Sequence, residues 1–421
     1  MCPTLSDKLK SLGVKVGARD LPSRPVPNDY SIERVEPGRF HQTARGETYI
    51  VDAFYPPDFS YGHTSLVATR SMQTILEWAG IPETISSDEY PHISHPFLPE
   101  NCAYLDIETT GLSGGTGTYA FLVGVGRFEG EGFHLAQFFM RDPVEEPAML
   151  LALEEFLAPC DYLATYNGKA FDAPILNTRY IFHGWKSLLA SLHHLDLLHL
   201  SRRIWRDRLP SRTLGNIESV ILGATRTEED IPGWLIPQLY FDYQMSGDAR
   251  PLRGVFYHNR MDVLAIAALL HHLSHMLQDP INSTEYDPLD LLGVGRLFED
   301  LGHLEDASQL YRRCLEVGLF ENQHWETLQR LSSIKKREGD YQSAVALWLQ
   351  AASQNHIYAH VELAKYYEHH IHDYSEAESW TRAALALILA NDVPHPTRQE
   401  WQPDLEHRLA RLVRLQSMKN K

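Results

Sequence analysis

The sequence predicts an α/β domain, a mixed sheet flanked by helices, followed by an all-α domain of helical repeats. Three observations carry that prediction. Between about residues 100 and 278, three strand-like runs separated by glycine turns give way to alternating helix and strand. From about 287 to 390 the periodicity is helical throughout. Within that helical stretch a small residue recurs at Ala307, Ala344 and Ala377, at intervals of 37 and 33 residues. The expected organisation is an N-terminal extension at 1–99 packing on the α/β domain, that domain itself at 100–280, repeats at 285–392 and a capping helix with its tail at 393–421.

In chain order, the first hundred residues are punctuated by proline, with GETYIVDAFYP at 46–56 reading as a strand and 64–80 as a short helix. NCAYLDIET, YAFLVGVGRF and GFHLAQFFM then read as three strands. The glycine-rich segments between them can turn tightly, which predicts an antiparallel meander. EEPAMLLALEEFLA has helical apolar spacing and DYLATYN is a short strand. AFDAPILNTRYIFHG is helical after its proline, HHLDLLHL is a further strand, and a long helix follows from RMDVLAIAALLHHLSHML. The recurrence of small residues near a ~34-residue period, with an aromatic residue shortly before, is the signature of tetratricopeptide-like hairpins, and the first interval is read as carrying a short insertion.

Composition narrows the function classes. The chain has 421 residues, with 38 basic against 55 acidic side chains and a net charge of -17, so a general electrostatic grip on nucleic acid is disfavoured. Cys2, Cys102, Cys160 and Cys314 are scattered and form no CxxC pair, which suits a reducing compartment. No apolar run of signal-peptide or membrane-helix length is present. The expectation is a cytoplasmic protein with no membrane partner.

The chemistry concentrates in four acids. Asp106 and Glu108 share one face of a strand, because the side-chain period there is two. Paired acids at a buried strand end are costly to ionise unless a cation neutralises them, and hard oxygen ligands suit Mg²⁺ or Mn²⁺. Asp172 opens a helix after the Asn167–Gly168 loop. Asp262 lies at the start of the long helix, and His258, four residues earlier, falls on the same helical face.

DIET at 106–109, NGKAFDAP at 167–174 and HNRMD at 258–262, in this order and context, resemble the DEDD superfamily of 3′-to-5′ exonucleases, whose fold is RNase H-like. The chain is more closely similar to the YprB-type bacterial branch, which couples such a domain to C-terminal tetratricopeptide repeats. The resemblance implies that Asp106, Glu108, Asp172 and Asp262 hold two divalent ions and that His258 acts as general base. The histidine-type branch of the superfamily places its base five residues before the last aspartate and the tyrosine-type branch four. Here Tyr257 stands at five and His258 at four, and helical geometry favours His258, with Tyr257 or a water handled by metal alone as the alternatives. Thr109, Thr110, Gly111 and Leu112 would contact a 3′-terminal nucleotide. Asn167 and Phe171 would orient Asp172 or floor the pocket, and Lys169 would approach a phosphate. The implied partners are single-stranded DNA or RNA and a protein or peptide bound by the repeats.

Blander roles exist for each of these residues. Asp172 could be a helix cap and Asp262 a first-turn acid favouring the helix dipole. Asp196 could be a metal ligand, a residue that orients the ligands or a hydrogen-bonding structural acid. RRIWRDRLPSR at 202–212 offers five arginines around Trp205, either a phosphate-binding patch with a stacking aromatic or a solvated face. The enzyme reading competes with that of a weak or inactive nucleic-acid-binding adaptor that works through its repeats.

Overall fold

A computed structural model describes residues 30–66, 72–81, 97, 99–111, 117–283, 286–390 and 395–419. The chain divides into two compact units, one of residues 1–201 and 211–278 and the other of 202–210 and 279–421. Among the described residues no helix is long and apolar enough to cross a membrane.

The first unit is built on a seven-stranded sheet. Its strands are β1 (Arg39–Thr43), β2 (Gly46–Tyr55), β5 (Cys102–Thr109), β6 (Ala120–Glu129), β7 (Gly132–Phe139), β8 (Tyr162–Thr165) and β9 (His193–Asp196), in the order β1-β2-β7-β6-β5-β8-β9. A small hairpin of β3 (Ser60–Tyr61) and β4 (Thr64–Ser65) stands apart. β5, β6 and β7 form the expected antiparallel meander, whereas β8 and β9 run parallel to β5. β6 reads AFLVGVGRFE and is buried along nearly its whole length, as a central strand covered on both faces must be.

Two helices of this unit show how the faces are covered. Asp106, Gly124 and Gln137 lie in one register row across β5, β6 and β7. Asn259 of the long helix α8 (Leu252–Gln278) bonds both Asp106 and Gln137, so α8 crosses the face that carries the acids. Phe138 points to the other face and packs edge-on against Phe156 of α3 (Glu146–Leu157). The remaining helices of this unit are α1 (Ile32–Val35), α2 (Gln73–Trp78), α4 (Asp172–Phe182), α5 (Leu197–Ile204, whose last residues belong to the second unit), α6 (Leu214–Val220) and α7 (Ile236–Ser246).

Several expectations need correction. The stretch before residue 100 supplies β1 and β2 to the same sheet rather than merely packing on it. Residues 64–65 are strand, and of the helix predicted over 64–80 the described residues show α2, with 67–71 outside the described residues. α4 begins at Asp172, ahead of Pro174, because proline, which lacks an N–H, costs no intrahelical hydrogen bond in a first helical turn. HHLDLLHL is strand only to Asp196 and helix beyond it.

The second unit is helical. α9 (Pro288–Leu301) pairs with α10 (Leu304–Val317), α11 (Glu321–Arg337) with α12 (Tyr341–Ala352), and α13 (Ile357–Tyr366) with α14 (Tyr374–Ile388), before α15 (His395–Lys419). Ala307, Ala344 and Ala377 each occupy the fourth position of the second helix of a hairpin, and all three are fully buried. The longer first interval contains no inserted loop. α10 has 14 residues against 12 in α12, and α11 has 17 against 10 in α13 plus a five-residue π-turn at Tyr367–Ile371.

The arginine run does not form the phosphate patch that its composition suggested. Arg203 pairs with Asp300, Arg208 with Asp290, and Arg206 with Glu326 at 3.4 Å, while Trp205 is fully buried and offers no face for base stacking. These side chains tie residues 202–210 to the helices of their own unit.

Candidate active site

The acids gather toward the C-terminal ends of the parallel strands β5 and β8, near where open α/β sheets hold ligands. Asp106 and Glu108 are half-buried on β5, on the face away from the buried Ile107, and the β5–β6 register shifts at Glu108/Thr109. β8 ends at Thr165. Asn167 follows in the left-handed region (φ 69°), which Asn tolerates better than most residues. The turn is held from β9, where Asp196 accepts from the main-chain N–H of Asn167 at 2.8 Å, Lys169 at 3.1 Å and Leu198 at 3.1 Å. Asp196 is therefore the structural acid among its possible roles. It fixes the loop from which Asp172 enters α4, and Asp172 is the first helical residue rather than the cap.

The four acids are electrostatic neighbours. Burial raises the Asp106 carboxyl well above the carboxylate range, and Asp262, Glu108 and Asp172 raise it further. Glu108 is raised by burial, then by Asp262 and Asp172, against an opposing pull from Arg226. Asp172 is pushed up to about 7 by burial and by the charges of Asp196 and Asp262. Asp106, Glu108 and Asp172, each raised by burial and by neighbouring carboxylates, are short of positive charge, and their donors are the hard oxygens that Mg²⁺ or Mn²⁺ takes. The donor chemistry fits a divalent ion. Among the described residues, however, no three His, Cys, Asp or Glu side chains are placed to hold a metal ion as they stand.

α8 carries the other half of the site. It begins at Leu252, so Asp262 lies in its third turn and not at its start, and the first-turn dipole role is excluded. Asn259 is fully buried. Its Nδ2 donates to the Asp106 carboxylate at 3.0 Å and to the Asp106 carbonyl at 3.1 Å, while its Oδ1 accepts from Gln137 at 3.0 Å. Gly124 sits opposite Asp106 because a Cβ there would collide with the Asn259 amide. His258 Nε2 lies 3.5 Å from Asp262 Oδ2, and its Nδ1 lies 2.8 Å from Asp230. The Tyr257 hydroxyl is turned to a different neighbour, accepting from the Thr227 N–H at 2.9 Å.

Sequence reasoning missed a cation at this site. Arg226 donates to Asp262 Oδ1, holds Glu218 through Nε and Nη2 at 2.6–3.0 Å, and places Nη1 3.3 Å from His258 and 3.5 Å from Asp230. Glu218 is itself buried and accepts from the Tyr61 hydroxyl. Burial works against the Arg226 charge, but its bonds and proximity to Glu218 and Asp262 more than offset this and keep the guanidinium protonated. A cavity of about 470 Å³ opens here, with Arg226, Asp230, Gly233, His258 and Asp262 in its wall.

The expected substrate residues divide. Thr109 is buried and donates to the Gly111 carbonyl at 2.8 Å, and Thr110 is bonded through its backbone and hydroxyl to Tyr119, so both shape the loop after β5. Leu112 lies outside the described residues. Asn167 and Lys169 are exposed on the turn before α4, and Phe171 packs against the main core.

A family model for the RNase H superfamily matches residues 103–274, which span all of these acids. The chain is also 32% identical over 330 residues to the uncharacterized protein YprB of Bacillus subtilis (strain 168), covering 77% of this chain and 76% of that protein. With the strand order around β5 and a helical C-terminal region, these matches show that the chain belongs to the YprB family and carries an RNase H superfamily domain.

Proposed function

We propose that the first unit is a divalent-metal-dependent 3′-to-5′ exonuclease acting on single-stranded DNA or RNA. The observation that carries this reading is the convergence of Asp106 and Glu108 on one face of β5, Asp172 at the turn after β8, and α8, which bonds Asp106 through Asn259 and carries Asp262 three residues on. A divalent ion such as Mg²⁺ or Mn²⁺, when bound, would supply the positive charge that these acids lack and Lewis-acid chemistry toward water and phosphate. Asp106, Glu108 and Asp172 would hold it, and Asn259 fixes which Asp106 oxygen faces outward. His258 is positioned as general base. Asp230 at 2.8 Å favours the proton on Nδ1, which leaves Nε2 to accept one from water. The exposed Lys169 would meet phosphate, and the helical hairpins would bind a protein or peptide partner.

One observation favours a second reading, that of a weak or inactive nucleic-acid-binding adaptor. Arg226 already holds Asp262, and the acids are not closed around a common point. End-labelled linear strands and closed circular strands, DNA and RNA, separate the readings when incubated with Mn²⁺, Mg²⁺ or chelator. The exonuclease shortens linear strands from the 3′ end, leaves circles intact and stops on chelation. Cut circles would indicate an endonuclease, and no cleavage of any strand would favour the adaptor.

A further inference from the structure

The helical unit holds a pocket whose wall carries an excess of positive charge, in a chain of net charge -17. We infer that this pocket docks an acidic peptide segment of a partner protein, with a carboxylate among Lys336, Lys365 and Arg408 and a neighbouring apolar side chain on the rings of Tyr341 and Tyr366. The inference rests on the reading of the helical hairpins as partner-binding and is independent of the metal-dependent reading.

The pocket, of about 220 Å³, is lined from α11, α12, α13 and α15. Glu362, Lys365 and Tyr366 project from one face of α13, as residues three and four apart on a helix must. Lys336 comes from the last turn of α11, and Tyr341 and Trp348 come from one face of α12. The π-turn at Tyr367–Ile371 sets His369 and His370 in the same wall, and Arg408 enters from α15.

Charge identifies the occupant. Glu362, among the described residues the one carboxylate of the wall, accepts from Lys336 at 2.5 Å and from Lys365 at 2.7 Å. An ammonium has three donors, and the two lysine side chains are 39% and 38% exposed, so donors remain open to a ligand on both. Arg408 holds Glu368, a buried acid that Arg411 also grips, at 2.5 Å. Two carboxylates thus face four permanent cations, an excess that the carboxylates of a ligand would neutralise through charge-assisted bonds.

The other half of the pocket is a stack of rings. The Tyr341 and Tyr366 rings are stacked at 5.7 Å, His370 lies 4.0 Å from Tyr341 and 5.9 Å from Tyr366, and the buried Trp348 backs Tyr366 at 6.4 Å. A rigid aromatic wall beside clustered cations suits a peptide that alternates acidic and apolar side chains. The volume falls below the ~300–1,000 Å³ of small-molecule sites, which favours side chains carried by a larger partner. A nucleic-acid strand fits less well, because its phosphates call for cations spread along a groove, whereas these converge on one pocket.

The test is selection on the full chain from a displayed library of random dodecapeptides, followed by fluorescence anisotropy of the labelled, most enriched peptide. Wild type should enrich peptides that pair Asp or Glu with an aromatic or aliphatic neighbour. The enriched peptide should bind about tenfold more weakly to the double variant Lys336→Gln, Lys365→Gln, and about tenfold more weakly to wild type when salt rises from about 0.1 M to about 0.5 M. Enrichment of neutral or basic peptides, or acidic peptides that bind the double variant as well as wild type, would overturn the inference and leave the partner-binding reading standing. So would a labelled oligothymidylate that loses affinity in the double variant while no acidic peptide is enriched. No enrichment of any peptide would remove the partner-binding reading as well. Should the double variant fail to fold, Lys365→Gln alone, with an expected loss of about threefold, and the salt dependence decide the matter.

Discussion

Asn259→Ala tests how the acids are held. The wild-type amide donates to the Asp106 carboxylate at 3.0 Å and to its carbonyl at 3.1 Å, and it accepts from Gln137 at 3.0 Å, all in a fully buried position. Without metal, burial disfavours the charged form of Asp106, so each of the three bonds counts as a neutral one of about 1 kcal/mol, and buried groups left without partners add about 1–3 kcal/mol to the loss. Gln137 keeps its bond to the Phe256 carbonyl at 2.8 Å, which limits the damage on that side. The expected destabilisation is about 3–5 kcal/mol in metal-free protein. At ~2–4 °C per kcal/mol for a unit of this size, the midpoint should fall by roughly 10 °C. Differential scanning calorimetry in the presence of chelator measures it. In the same assay Asn259→Asp sets a further carboxylate against Asp106, so it should be at least as damaging without metal and should recover when Mn²⁺ is added. A loss below about 1 kcal/mol in Asn259→Ala would refute the claim that this amide carries Asp106.

Three further outcomes rest on the same geometry. Gly124→Ala should cost about 1–3 kcal/mol by driving a Cβ into the Asn259 amide, and most of that cost should vanish in an Asn259→Ala background, as a double-mutant cycle would show. Asp172 has a folded pKa raised from 3.8 to about 7, so below pH 4 its protonation affects both states alike, and between about pH 4 and 7 the folded state holds the proton more tightly. Metal-free stability should therefore decline as pH rises through that window, by at most about 4 kcal/mol from this group, and Asp172→Asn should flatten the decline in melts recorded with chelator. Arg179→Met leaves the buried Glu146, which Arg179 grips through two bonds of 2.6 Å, with only His183 at 2.7 Å. It should cost about 3–5 kcal/mol by chemical denaturation and loosen α4, the helix that presents Asp172.

Much of this architecture was legible because it rests on short-range periodicity. The two-residue period of β5 put Asp106 and Glu108 on one face, and glycine turns announced the β5–β6–β7 meander. The recurrence of Ala307, Ala344 and Ala377 located the hairpins, although it could not reveal that the extra residues of the first interval lengthen two helices. The start of α8 was misplaced because LRGVFYHN carries no capping signal and its apolar spacing is short before Met261. The cation of the site was invisible for another reason. Arg226 sits in the irregular ILGATRTEED stretch, and its network joins residues up to 157 positions apart in the chain, so no local pattern marks it. The arginine run at 202–212 shows the opposite failure. A conspicuous composition suggested a nucleic-acid patch, but Arg203, Arg206 and Arg208 are drawn into ion pairs with acids of the helical unit.

The most direct test of the site is anomalous diffraction from crystals of the full chain grown with Mn²⁺ near neutral pH. The expected result is a peak at ligating distance, ~2.1 Å, from carboxylate oxygens of Asp106, Glu108 and Asp172. Those three carboxylates well ordered with no peak between them, or a peak found only on acids elsewhere, would contradict it.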